Sequence, residues 1–295
     1  MIKDKKDSKT LEKRIKEKSK VTKEEWREYT KTVWSIPNTT HPLHPAVFPK
    51  EIPNRLIKLF SFWGESVLDP FAGTGVTGVS ALELGRSAIC VDQNRRYIKE
   101  ITKNLASVNC LNKKSHFEVL HDDSRKLGIK NNTVDLIITS PPYWDKADYG
   151  KSKKNLGSIK SYQQFLEEIK PVFSECYRVL KPGRKMCIVT ANVNQYTEHG
   201  LLSFPLAADF ISIMRDVGFL IQSEIIWSKD GTGGRWGSYG KQRPIFGSYP
   251  YPPNFLFKTV HEHILVFIKS PLEKKKGEKV KFMKDIMRPG KKTRN

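Results

Sequence analysis

Hydrophobic and polar positions follow two periods along this chain. Short apolar runs, of the kind that bury on both faces of a sheet, occur at SVLDPF (66–71), SAICVDQ (87–93), HFEVLH (116–121), VDLIITS (134–140) and KMCIVTA (185–191). Helical periodicity fills the gaps, at roughly 76–84, 94–108 and 161–180, with a further helix near 204–216. In the third of these, Leu166, Ile169, Phe173, Cys176 and Leu180 fall on one face; Pro171 predicts a kink, and the Pro-Gly of KPGR predicts the end. Strands spaced by helices predict an α/β fold with a doubly wound, mainly parallel sheet and helices on both faces. Two last strand patterns, FLIQSEIIWSK (219–229) and HEHILVFIK (261–269), have no helical pattern between them and predict an antiparallel hairpin at a sheet edge.

The two ends differ from this body. Residues 1 to about 32 are rich in Lys and Glu and predict partial helix with a frayed first dozen, and 271–295 have the composition of a basic tail. The division expected is a basic extension (1–20), one domain (21–270) and the tail. Lys and Arg number 52 against 31 Asp and Glu, a formal charge of +21, which predicts a polyanionic partner. No apolar run approaches the roughly 18 residues of a membrane span, and the first residues, MIKDKKDSKT, lack the apolar centre of a signal peptide. A cytoplasmic protein without membrane contact, monomeric or dimeric, is expected. Cys90, Cys110, Cys176 and Cys187 lack metal or redox spacing and read as reduced thiols. The histidine pairs 41/44 and 261/263 lack further ligands at matching spacing, so no metal is expected.

Candidate chemistry sits where strands end. The first strand runs into DPFAGTG (69–75), where glycines allow close approach to a ligand ahead of a helix N-terminus. A dinucleotide fold competes for this turn. Against it stand the Asp-Pro-Phe before the glycines, foreign to that fingerprint, and a glycine turn taken as short of the full G-x-G-x-x-G. Asp92 ends the second strand, placed for a ribose hydroxyl, and Asp123 follows the third, placed for an adenine amine. The fourth ends in TSPPYWD (139–145), where two prolines remove two backbone donors and the aromatics Tyr143 and Trp144 follow.

DPFAGTG, the Asp-ended second strand and SPPYW after the fourth resemble the S-adenosylmethionine-dependent amino methyltransferases of DNA, which methylate N4 of cytosine or N6 of adenine. The resemblance covers about residues 21–270 and implies a seven-stranded Rossmann-like sheet. It implies that Asp69, Phe71, Gly73 and Gly75 surround the methionine moiety, that Asp92 holds the ribose, and that Asp123 and Ser124 lie near the adenine. Phe48 and Pro49, in HPAVFP (44–49), would flank the same pocket. The tetrapeptide Ser140, Pro141, Pro142, Tyr143 would be catalytic: Ser140 and the Pro141 carbonyl accept from the target amine, and Tyr143 stacks on the flipped base at about 1–3 kcal/mol. A serine at the first position favours cytosine N4; adenine N6, guanine N2 of RNA, and an inactive nucleic-acid-binding relative are the alternatives.

Compared with many relatives of this style, the motif order here looks circularly permuted. Three segments without sheet pattern are candidates for contact with double-stranded DNA, at about 144–160, 191–205 and 228–258. They carry Trp144, Lys151, Lys153, Arg235, Trp236, Tyr239, Lys241 and Arg243. The family further implies a partner restriction endonuclease whose cleavage the modification blocks.

Overall fold

The computed structural model describes residues 2–39, 47–144, 155–229, 248, 250–253, 257 and 259–270. The contact candidates Lys151, Lys153, Arg235, Trp236, Tyr239, Lys241 and Arg243, and the 271–295 tail, lie outside them.

All seven expected strands form. They are β2 (Ser66–Asp69), β3 (Ser87–Asp92), β4 (Phe117–His121), β5 (Val134–Thr139), β6 (Leu180–Thr190), β9 (Phe219–Ser228) and β10 (His261–Lys269). A short strand β1 (Val33–Ser35) adds to β9, so the sheet has eight strands, not seven, in the order β1-β9-β10-β6-β5-β2-β3-β4. β10 runs antiparallel to both β6 and β9, and the other pairings are parallel.

Period-two alternation divides the apolar side chains between two faces. Leu68, Ile137, Met186, Ile188 and Phe267 face helices α6 (Tyr162–Val179) and α7 (Leu206–Val217). Val67, Leu136, Ile138, Cys187 and Val266 face α3 (Glu51–Phe60), α4 (Val76–Glu83) and α5 (Arg95–Ala106). Each face thus buries its own core. No helix among the described residues is long and apolar enough to cross a membrane.

The structure departs from the sequence reading at several places. Helix α1 (Ile2–Lys18) runs through the dozen residues expected to fray, and α2 (Lys23–Tyr29) follows, opened by a capping box between Thr22 and Glu25. Helix α3 is an addition. KPGR belongs to β6, where Gly183 at φ 78° and a register shift opposite β5 absorb the turn without leaving the sheet. The segment 191–205 is not free of strand structure: β7 (Val193–Thr197) and β8 (Gly200–Phe204) form a separate antiparallel hairpin that exposes Tyr196.

Gly78 of α4 marks how closely that helix lies on the sheet. A Cβ there would stand 2.6 Å from Cys90 Sγ and 2.9 Å from Leu105 Cδ2. Gly78→Ala is expected to lose about 1–3 kcal/mol to overpacking, more than the ~1 kcal/mol of helix propensity it gains. In urea unfolding, the double variant with Cys90→Ala should lose less than the two single losses added together; strict additivity would show that no such contact exists.

Candidate functional site

The chain runs outward from β2 through β3 to β4, then returns to place β5 on the other side of β2. Neighbouring parallel strands whose connections leave in opposite directions open a crevice at their carboxyl ends. The β2 end carries Asp69 and the glycine turn; the β5 end carries Thr139 and Ser140.

Asp69 joins the two. Only 2% exposed, it accepts hydrogen bonds from the Phe71 amide (3.0 Å), Thr77 Oγ1 of α4 (2.7 Å) and Thr139 Oγ1 of β5 (2.8 Å). Burial pushes its carboxyl up to about 6, opposed by those three donors. It is therefore ionised at neutral pH, with donors in place of water. Asp69 thus organises the turn from behind.

The turn itself is pinned residue by residue. Ser124 is buried and donates from Oγ to the Pro70 carbonyl. The Ala72 amide donates to Val91 O (3.0 Å), and Asn104 Nδ2 donates to Thr74 O (3.0 Å). Gly73 (φ 54°) and Gly75 (φ 84°) adopt the left-handed conformation that lets the chain fold back at the N-terminus of α4. Gly73, Gly75 and Gly78 do complete the G-x-G-x-x-G spacing, which corrects the reading of a shortened fingerprint. The distinction from a dinucleotide site therefore rests on Asp69, Pro70 and Phe71.

Asp92, at the end of β3, accepts from the Gly73 amide (2.9 Å) and the Asn94 amide (2.8 Å), and burial raises its carboxyl to about 6. Each oxygen takes one of these bonds and keeps further acceptor capacity. Asp123 has a partner within its own loop: its carboxylate grips the Arg125 guanidinium at 2.7 Å, and Arg125 also pairs with Glu168 at 2.5 Å. An amine seeking Asp123 would share it with that cation. Phe71 packs on the α6/α7 core, while Phe48 and buried Pro49 stand at the start of α3, Phe48 in the apolar cluster that holds Ala72 of the turn.

The tetrapeptide is fixed from both sides. Pro141 and Pro142 are buried and Ser140 is partly open. Ser140 Oγ donates to the Tyr143 hydroxyl (3.1 Å), which donates to Glu262 Oε2 on β10 (3.0 Å). Glu262 also pairs with Lys229.

Trp144, expected at a DNA surface, is buried to 7% exposure. Its ring contacts Tyr162 and Phe204, with centroids 5.1 and 4.8 Å away, and Nε1 donates to Lys160 O (3.1 Å). Its backbone is left-handed at φ 50°, a conformation rare for a bulky residue and held here by that packing. Among the described residues no cluster of three or more His, Cys, Asp or Glu could hold a metal.

Thr77, Thr139, Lys229 and Glu262 have no place in the sequence reading. The one available signal was the carboxylate of Glu262 just ahead of the apolar run ILVFI, between two histidines that drew attention instead.

Because Asp69 and Asp92 are both raised above their usual value, the folded state binds protons more tightly than the unfolded chain. Their contribution to stability is complete below about pH 4 and is lost as pH rises to about 6. Asp69→Asn removes one of the two groups, so its urea midpoint should change less between pH 4 and 6 than that of the parent. An equal slope in both proteins would contradict the raised carboxyl.

The sequence profile of the DNA methylase family matches residues 2–103 and 134–294. The Type II methyltransferase M.MjaVI of Methanocaldococcus jannaschii is 28% identical over 173 residues, covering 58% of this chain and 80% of that protein. The Type II methyltransferase M.BglI of Bacillus subtilis is 38% identical over 91 residues, 30% of this chain but only 26% of its own length. Among solved structures, one described as a putative DNA modification methylase of Thermus thermophilus, in complex with S-adenosyl-L-methionine, is 32% identical. It covers 52% of this chain and 55% of that one, with a TM-score of 0.37. With its profile matched over most of its length, the chain belongs to the DNA methylase family.

Proposed function

We propose that this protein is an S-adenosylmethionine-dependent DNA methyltransferase that modifies the N4 amine of cytosine in a flipped-out base. The observation that carries this is the end of β5: a serine hydroxyl and a proline carbonyl, on a Pro-Pro unit without N–H, beside a glycine turn. S-adenosylmethionine, when bound, supplies a sulfonium methyl, displaced at carbon with the S–C electron pair leaving on sulfur.

The residues present fit that cofactor. Gly73 and Gly75 leave the turn without side chains, and Asp92 retains acceptor capacity for ribose hydroxyls. Asp69 acts by shaping the turn, while Phe48, Pro49, Phe71 and Ser124 wall the pocket, with Asp123 toward the adenine.

The acceptor is the harder half of the reaction. An exocyclic amine is conjugated into its ring, and its lone pair becomes available only as nitrogen pyramidalises. Ser140 Oγ and the Pro141 carbonyl favour that change by accepting from the two N–H bonds and drawing off positive charge as it develops. After the N–C bond forms, the nitrogen loses one proton to solvent. The Pro141-Pro142 unit offers no N–H that could bind the attacking lone pair. Tyr143 presents its ring face to the extruded base.

Serine at the head of the tetrapeptide favours cytosine; adenine N6 is the second reading. The charge of +21 supports a polyanionic substrate, membership of the DNA methylase family supports that substrate being DNA, and the likeness to Type II methyltransferases supports pairing with a restriction endonuclease.

Mass spectrometry of nucleosides from DNA treated with the purified protein should find N4-methylcytosine; N6-methyladenine alone would select the second reading. Ser140→Ala should lower the single-turnover rate by about tenfold or more and leave cofactor affinity within about twofold. An unchanged rate would remove Ser140 from the mechanism. Cofactor affinity, measured by calorimetry, should fall as pH drops below about 6, where Asp92 protonates and loses acceptor capacity, and Asp92→Asn should flatten that dependence.

A further inference from the structure

Glu262 has no part in the mechanism above, yet the hydroxyl of Ser140 reaches it through one intervening group. Ser140 Oγ lies 3.1 Å from the Tyr143 hydroxyl, and that hydroxyl lies 3.0 Å from Glu262 Oε2. Lys229, which follows the end of β9, pairs with the other oxygen, Oε1, and stands 4.5 Å from the centre of the Trp227 ring. Tyr143 and Glu262 are 119 residues apart in sequence and meet because β10 inserts between β6 and β9.

The direction of these bonds follows from the chemistry of their ends. Glu262 is paired with the Lys229 ammonium and accepts from Tyr143, so the Tyr143 hydroxyl gives its single proton to Glu262. The Tyr143 oxygen then accepts from Ser140, so the Ser140 proton points at Tyr143. Both serine lone pairs remain for a donor arriving from the other side. We infer that Glu262 is a positioning residue which, through Tyr143, holds Ser140 as a hydrogen-bond acceptor toward the target amine, with Lys229 holding the carboxylate in place.

This inference rests on the reading that Ser140 receives the amine. Without the carboxylate the chain can run backwards. An amide at 262 can turn its NH2 toward the Tyr143 oxygen; Tyr143 then donates to Ser140, and Ser140 donates into the crevice. A donor there binds the nitrogen lone pair that has to attack.

The test compares single-turnover methylation of duplex DNA by wild type, Glu262→Gln, Tyr143→Phe and the double variant, with cofactor affinity and melting temperature measured alongside. Tyr143→Phe keeps the ring and removes only the link. Each single variant should lower the rate about tenfold, the scale of losing one charge-assisted hydrogen bond, with cofactor affinity within about twofold. The double variant should be no slower than Tyr143→Phe alone, because both changes cut one chain. Glu262→Asp, which keeps an acceptor of the same charge, should recover part of the rate. A Glu262→Gln rate equal to wild type, or rate losses that multiply in the double variant, would overturn the inference. Should Glu262→Gln fail to fold, a wild-type rate in Tyr143→Phe would overturn it alone. Failure of the wild type itself to methylate DNA would instead refute the function from which the inference starts.

Discussion

The buried carboxylate of Asp69 is the constraint on which the rest of the site depends. A charge taken out of water costs several kcal/mol unless donors replace its hydration. Here three donors do so, and each belongs to a different part of the fold: the turn itself, the first turn of α4, and the last residue of β5. The carboxylate is satisfied only when all three have arrived. One group thereby couples the glycine turn to Ser140, although Thr139 lies 70 residues from Asp69. An apolar residue in its place would fill the space and fix none of those directions.

The opposite side of the tetrapeptide is held by different means. Trp144 is locked among Tyr162, Phe204 and the Lys160 carbonyl, and Tyr143 is tied by its hydroxyl to β10. SPPY therefore sits between two anchors, one on β2 and one on β10, with two prolines limiting the backbone between them. Groups that must meet developing charge are most effective when they need no rearrangement at the moment of reaction, and this arrangement leaves little to rearrange.

Strands β2, β3 and β5 were legible because strands buried on both faces read as continuous apolar runs, and β5 is buried at every position. Their carboxyl-terminal Asp92 and Ser140 could be placed from that pattern alone. The β7/β8 hairpin was not legible: of VNQYT and GLLSF only Val193 is fully buried, so neither segment carries an alternation of apolar and polar residues. Three-residue β1 is too short to carry a period. The pairings Asp69–Thr139 and Tyr143–Glu262 left no trace either, because contacts across 70 and 119 residues impose no local spacing. Trp144 misled for a related reason: an aromatic after a proline pair looks exposed until the helix and hairpin that cover it are placed.

Anchoring Tyr143 by its hydroxyl also bears on how a base would be received. Stacking uses the face of the ring, whereas the bonds to Glu262 and Ser140 use its rim, so the two do not compete. A free tyrosine would surrender rotamer freedom on meeting a base, about 0.5–1.5 kcal/mol for a side chain immobilised on binding. A ring already fixed by its hydroxyl has lost most of that entropy during folding. On the proposed function, the same bond that directs the Ser140 proton would thus leave more of the stacking energy to oppose the cost of unpairing the base. A single carboxylate on a distant strand can serve both ends because Tyr143 bridges it to the serine through one oxygen.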